Sequence, residues 1–242
     1  MSKAQPVYDV LDRIDAPTGK EKVFFPGSTH LPEGNRDYKS KKFVANLDHR
    51  QMTLLGQEIS KRYGERYTLL PLQTSCDLAH KDKEFKKMNV DYWLHNEPVI
   101  LEVGEIIAHP IVKEVDGELK YDYTPSKMIK TEINESDVFD TLMKAGLLKE
   151  PKKKVYRGGI DFEDGEASVR SNWYSDGGCF SAYAYRPSYR DDHGVAAFVK
   201  TGEAVEKPKM RVIAESEYQE FIRIKKEHEA LLKELAPVKK YF

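Results

Sequence analysis

The chain has 242 residues, 40% of them hydrophobic, enough for one large domain or two small ones around a buried core. Its 39 basic and 40 acidic side chains leave a formal net charge of -1, so no global field selects for nucleic acid or an anionic membrane, although a local basic groove is compatible with a balanced total. Two distant cysteines, Cys76 and Cys179, argue against a secreted disulfide framework and for a reducing, intracellular setting; the N-terminus lacks the apolar run of a signal peptide, and no stretch of roughly 18 apolar residues offers a membrane span.

In chain order, residues 1–46 mix prolines and glycines with isolated apolar residues such as Val7, Leu11, Phe24 and Phe25, and they read as an extended arm laid along a surface. The first helix is expected in LDHRQMTLLGQEISKRYG, where Met52, Leu55, Ile59 and Tyr63 share a face. Asp48 with Gln51 supplies a capping box and Gly64 a stop. YTLLPLQ follows, then a polar loop through Cys76 and His80, then a short helical stretch near Lys83 to Met88. VDYWL and VILEV, separated by His-Asn-Glu-Pro, are expected to pair as a hairpin. EIIAHPIVKEV and ELKYDY flank Asp116-Gly117, which suits a type I′ turn, with Pro110 at an edge or bulge. Ser136 is expected to cap a second helix that carries Val138, Phe139, Leu142 and Met143 and ends near Leu148.

From Lys152 to about Ala214, KVYRGG, SVRSNWY, CFSAYAYRP, VAAFVKTG and MRVIA are candidate strands of a mainly antiparallel region. SEYQEFIRIKKEHEALLKELA then runs without Gly or Pro, with Ser216 and Gln219 as a capping box and an apolar stripe through Phe221, Ile222, Leu231 and Leu235. The expected fold is therefore α+β, with mixed or antiparallel sheets and three main helices. It divides into an arm (1–46), an α+β region (47–150) and a mainly β region closed by a helix (151–242), the last two being equally compatible with one continuous domain.

Asp91 in VDYWLH and Glu102 in VILEV are the first candidate site, because two carboxylates on adjacent strands hold Mg²⁺ through hard oxygen ligands. With Glu58 on the upstream helix, this order resembles the core of the restriction-endonuclease-like nucleases. The resemblance implies a metal-dependent phosphodiesterase with Asp91 and Glu102 as its carboxylates. The family's lysine, two residues after the glutamate, is replaced by Gly104, which leaves Lys113 as a substitute donor. Solvent-facing carboxylates on a hairpin explain the same residues.

Tyr156-Arg157-Gly158, then SNWYSD, then Glu215-Ser216-Glu217 resemble the motif order of the mono-ADP-ribosyltransferases, which implies an NAD site joining Arg157, Ser171 or Ser175, and Glu217. Acidic residues at the start of the last helix also serve its dipole. Cys76 and His80 are spaced for a metal or a thiolate pair but lack a second ligand pair. In NWYSDGGCFSAYAYRPSYRDDHG, the residues Trp173, Tyr174, Tyr183 and Tyr185 with Arg186, Tyr189 and Arg190 are of the types enriched in binding hot spots. With no complete catalytic motif, the sequence reads as a non-catalytic structural or interaction subunit that needs no cofactor and binds other protein subunits.

Overall fold

Asp48 begins the helix on which the rest of the fold is hung. The computed structural model describes residues 2–12, 14, 23–24, 47–91, 93–102, 104–162, 165–174, 177–190 and 194–204, all within the unit Met1–Val205. Helix α2 (His49–Tyr63) has the expected capping box, each partner accepting the other's backbone N–H at 3.0 Å, and Gly64 ends it at φ 72°. Its buried Met52, Leu55 and Ile59 meet helix α1 (Gln5–Leu11), which corrects the extended-arm expectation for those residues. Pro6 lies in the first turn of α1, where its missing N–H costs no hydrogen bond, and Val7 and Leu11, four apart, bury together.

Strand β1 (Val23–Phe24) pairs with β12 (Phe198–Ala204), which pairs with β2 (Glu65–Leu69) in a three-stranded sheet. The expected polar loop is instead helix α3 (Leu72–Lys81), because Leu72, Cys76 and Ala79 recur at four and three residues and bury. Helix α4 (Lys83–Asp91) follows, its first turn capped by the Asp82 carboxylate accepting from the Phe85 N–H at 3.0 Å.

The expected VDYWL–VILEV hairpin does not form: Trp93 and Leu94 of the first run and Val99 to Glu102 of the second belong to one strand, β3 (Trp93–Glu102). The physical reason is a change of partner along the strand. Residues 93–95 run parallel to β11 (Gly194–Ala196), whereas residues 99–102 pair antiparallel with β4 (Glu105–Ala108). Between His95 and Ile100 the register with β9 (Ala167–Tyr174) shifts, in the segment holding Pro98, which has no N–H to donate.

Strands β5 (Ile111–Val115) and β6 (Glu118–Asp122) form the expected hairpin, with Asp116 and Gly117 at φ 54° and 76°. Strand β7 (Lys127–Lys130) precedes helix α5 (Val138–Lys144), which is capped by Asp137 rather than Ser136, its carboxylate accepting from the Asp140 N–H at 3.0 Å.

Among the described residues, β8 (Val155–Ile160) and β10 (Cys179–Tyr185) complete a seven-stranded sheet of order β7-β4-β3-β9-β10-β8, with β11 on β3. The β8–β10 and β11–β3 pairs are parallel, so the sheet is mixed. The architecture is α+β with five helices among the described residues, not three. One sheet face, carrying Leu94, Val169, Trp173 and Phe180, packs with Leu72, Phe85 and Phe139 of the helices α3, α4 and α5. The MRVIA strand and the amphipathic helix from Ser216 lie outside the described residues. None of the described helices is long and apolar enough to cross a membrane.

Candidate functional site: a tyrosine-paved sheet face

Strands β9 and β10 run in register, with Tyr183 opposite Arg170 and Tyr185 opposite Ser168. Side chains alternate along a strand, so Tyr174 and Arg170 share the face of Tyr183 and Tyr185 that points away from α3–α5. Tyr156 of β8, opposite Ser181, extends that face to the sheet edge. The rings form an unbroken row: Tyr174 to Tyr156 at 5.5 Å between centroids, Tyr156 to Tyr183 at 5.8 Å, Tyr183 to Tyr185 at 6.0 Å and Tyr185 to Tyr189 at 5.8 Å. Trp93 meets Tyr183 edge-on at 5.6 Å. These spacings are those of favourable aromatic pairs. Tyr156, Tyr174 and Tyr189 nonetheless keep 45%, 40% and 40% of their surface in solvent, so contact within the row does not use up the rings.

Glycine makes the paving flat. A Cβ on Gly158 would overlap both the Tyr183 ring and the Ala182 carbonyl, and one on Gly177 would lie 2.6 Å from the Tyr174 ring. Gly158 is needed for space, since the tyrosine lies across the strand where a side chain would stand. Burial and the neighbouring Tyr156 hydroxyl push the Tyr183 phenol up to about 12, so this ring is uncharged at neutral pH.

Beneath the Tyr189 end lies a buried polar layer. Arg170 is 1% exposed; its guanidinium sits 4.9 Å from the Tyr189 ring centroid and its Nη2 donates to the Tyr189 carbonyl. The loop is held again where the His49 backbone N–H donates to the Pro187 carbonyl at 3.0 Å. The His49 side chain faces the Asn96 carbonyl through Nε2 at 3.0 Å, which places the proton there and leaves Nδ1 to accept from the Tyr121 hydroxyl at 2.7 Å. Burial lowers the His49 pKa to about 3, the Asn96 carbonyl opposes that shift, and the positive charges of Arg170 and Arg50 reinforce it. His95, opposite Arg170 on β3, is fully buried 5.8 Å from the His49 ring, and neither of its ring nitrogens has a hydrogen-bond partner among the described residues.

The candidate residues named from the sequence separate on this frame. Tyr174, Tyr183, Tyr185 and Tyr189 come together, and Arg190 follows Tyr189 with its Nε 3.7 Å from the Asp48 carboxylate. Arg186 occupies the same connecting loop. Trp173 does not join them: it faces the helices, edge-on to His80 at 5.3 Å, with Lys86 Nζ 4.0 Å from its ring centroid. Adjacent strand residues must diverge, so Trp173 and Tyr174 could have been separated from sequence alone.

Asp91 ends α4 and Glu102 ends β3, so the length of that strand separates them, roughly 30 Å from the rise per residue of an extended chain. The two positions are not brought together. Glu58 pairs with Lys61 at 2.5 Å on α2, and Lys113 pairs with Asp122. Among the described residues, no three His, Cys, Asp or Glu side chains converge as a metal site. Arg157 is held by Asp137 at 3.1 Å and Glu150 at 2.8 Å, and Ser171 is fully buried. Ser175, Glu215 and Glu217 lie outside the described residues.

Cys76 is buried, and burial with the nearby Asp77 pushes its thiol up to about 11. Native protein is therefore expected to resist iodoacetamide at pH 7 at both buried cysteines, with mass spectrometry detecting two adducts only after unfolding; rapid native labelling of Cys76 would refute this. The residues missed by sequence reasoning are His49, His95, Arg170 and Tyr156 as a face-forming ring, and only the strand alternation around Arg170 carried a signal for them.

No protein-family model matches the chain, no curated protein matches it, and no solved structure matches its fold, so the geometry alone carries the functional reading.

Proposed function

We propose that this chain is a non-catalytic interaction subunit of a protein assembly, docking a partner protein through the tyrosine-paved face. The observation that carries the reading is the continuous row from Tyr174 through Tyr156, Tyr183 and Tyr185 to Tyr189, with three rings substantially exposed. Tyrosine suits a docking surface because it offers a large apolar body and a polar tip at the cost of only two side-chain torsions. The row is preorganised by Gly158 below and Arg170 behind, so little freedom is lost on binding. A protein fits better than a nucleic acid, whose phosphates demand net positive charge at the surface. Here the charges of Asp161 and Arg170 act on Tyr185 in opposite directions, and the chain as a whole carries -1.

A photo-crosslinking aromatic residue placed at position 156, in the cells that make the protein, tests this directly. The expected result is a discrete protein adduct that disappears when Tyr183→Ser is added and is absent when the crosslinker sits at Tyr8. Adducts to nucleic acid, or a pattern identical at positions 156 and 8, would overturn the reading.

A further inference from the structure

The tyrosine row has a floor and a wall. Tyr183 lies flat over Gly158, where an added Cβ would come within 2.3 Å of its ring, and the half-buried Trp93 stands at 68° to that ring, 5.6 Å away between centroids. Tyr185 and Tyr189 carry the floor onward, each ring tilted only 23° and 26° from the one before. Asn172 belongs to β9, the strand between those of Trp93 and Tyr183, and strand alternation puts it on the same face as Arg170 and Tyr174. The Ser181 hydroxyl donates to Asn172 Oδ1, which leaves the Asn172 amide N–H groups to serve another acceptor.

The face selects the backbone of what it binds. Strand addition needs an open edge, but β10, which carries Tyr183 and Tyr185, is already paired with β8 on one side and β9 on the other. A charged segment finds little to read. Among the described residues, the groups acting on the Tyr183 phenol are other tyrosines, and Asp161 and Arg170 oppose each other at Tyr185. Burial raises the pKa of both phenols, so both are uncharged at neutral pH. The face therefore offers ring surface together with neutral hydroxyl and amide donors.

An α-helix keeps its carbonyls for its own N–H groups, whereas polyproline II leaves every carbonyl unpaired and presents pyrrolidine rings as C–H surface. One of its turns rises ~9 Å over three residues, long enough to rest on two neighbouring rings spaced 5.8 to 6.0 Å apart. Proline holds that shape before it binds, so docking on aromatic rings costs little chain entropy. We propose that the segment docked on this face is a proline-rich polyproline II helix. One proline fills the angle between Trp93 and Tyr183, the next turn lies on Tyr185 and Tyr189, and carbonyls accept from the Asn172 amide and the tyrosine hydroxyls. This rests on the docking role of the tyrosine row and names the chemistry that fills it.

Selection of a random dodecapeptide phage library on the full chain tests this. Recovered peptides are expected to carry prolines three positions apart far more often than the unselected library does. The strongest of them, made synthetically, should bind Tyr189→Ala at least ten-fold more weakly than the native chain and Tyr8→Ala equally well, since Tyr8 lies on α1. Replacing its prolines with alanine should cost at least as much, a measurement that needs no change to the protein. The proposal is overturned if no peptide is recovered, if recovered peptides show no excess of proline, or if affinity survives either the proline replacement or Tyr189→Ala. Should peptides without proline be recovered while position 156 still crosslinks to a protein, the docking role stands and only the proline-rich occupant is lost.

Discussion

Gly158→Ala should cost about 3 kcal/mol of folding stability, the upper end of what overpacking one methyl normally costs. Two different neighbours meet that methyl: the Tyr183 ring, which is a side chain, and the Ala182 carbonyl, which belongs to the backbone of the paired strand. Tyr183 could swing outward into solvent, but the Ala182 carbonyl can retreat only by parting β8 from β10. Adding Tyr183→Ala to the variant is therefore expected to recover only part of the loss. Gly177 offers an internal comparison, since its nearest neighbours are the Tyr174 ring at 2.6 and 3.0 Å and the Cys179 sulfur at 3.3 Å, all side-chain atoms. Tyr174 is 40% exposed and free to turn away, so Gly177→Ala should cost under about 1 kcal/mol. Urea unfolding of the two single variants gives the ranking. Equal losses would show that the ring, not the strand backbone, decides the cost at position 158.

Acid should destabilise the fold well before its carboxylates titrate. His49 and His95 are both buried and neutral, and burial lowers the pKa of each, to about 3 for His49. An unfolded histidine takes up a proton near pH 6.5, whereas the folded one does not, so the unfolded state binds more protons below that pH. Stability is then complete above pH 6.5 and declines as pH falls toward 3, by about 1.4 kcal/mol per pH unit for one histidine. At pH 4.5 the expected loss from His49 alone is about 3 kcal/mol, and His95 adds to it in the same direction. Protonating either ring also places a second positive charge beside Arg170. His109 runs the other way, its pKa raised by the hydrogen bond to Glu97, but its side chain is half exposed and solvent screens the pair. Urea midpoints across this range should show the decline in the native chain and a flatter profile in His49→Gln with His95→Gln. An identical pH slope in that double variant would remove the histidines as the cause.

Local signals were the ones the sequence carried plainly. The Asp48–Gln51 capping box, the Gly64 stop and the Asp116-Gly117 turn each depend on residues within four positions of one another, and each formed as read. The errors arose where a distant partner decided the outcome. VDYWL and VILEV look like two strands because Pro98 lies between them, but β11, about a hundred residues on, supports one half of a single strand while β4 supports the other. Helix α3 was a different failure, since the spacing of Leu72, Cys76 and Ala79 was present and was obscured by the polar residues around it. The tyrosine row was legible as composition, but its membership was not, because Tyr156 joins through the β8–β10 pairing. The pocket lined by Ser2, Arg50, Tyr121, Tyr123, Glu166 and Ser188 could not be read at all, its wall being assembled from five separate parts of the chain.

The loop from Pro187 to Tyr189 is gripped at Pro187 by the start of α2 and at Tyr189 by Arg170, with Ser188 lining the cavity between them. Three consecutive residues thus belong to two different surfaces. Linkage is reciprocal, so a shift of this loop that favoured binding at one surface would alter affinity at the other by the same factor. The peptide bonds either side of Ser188 would be the shaft of any such coupling.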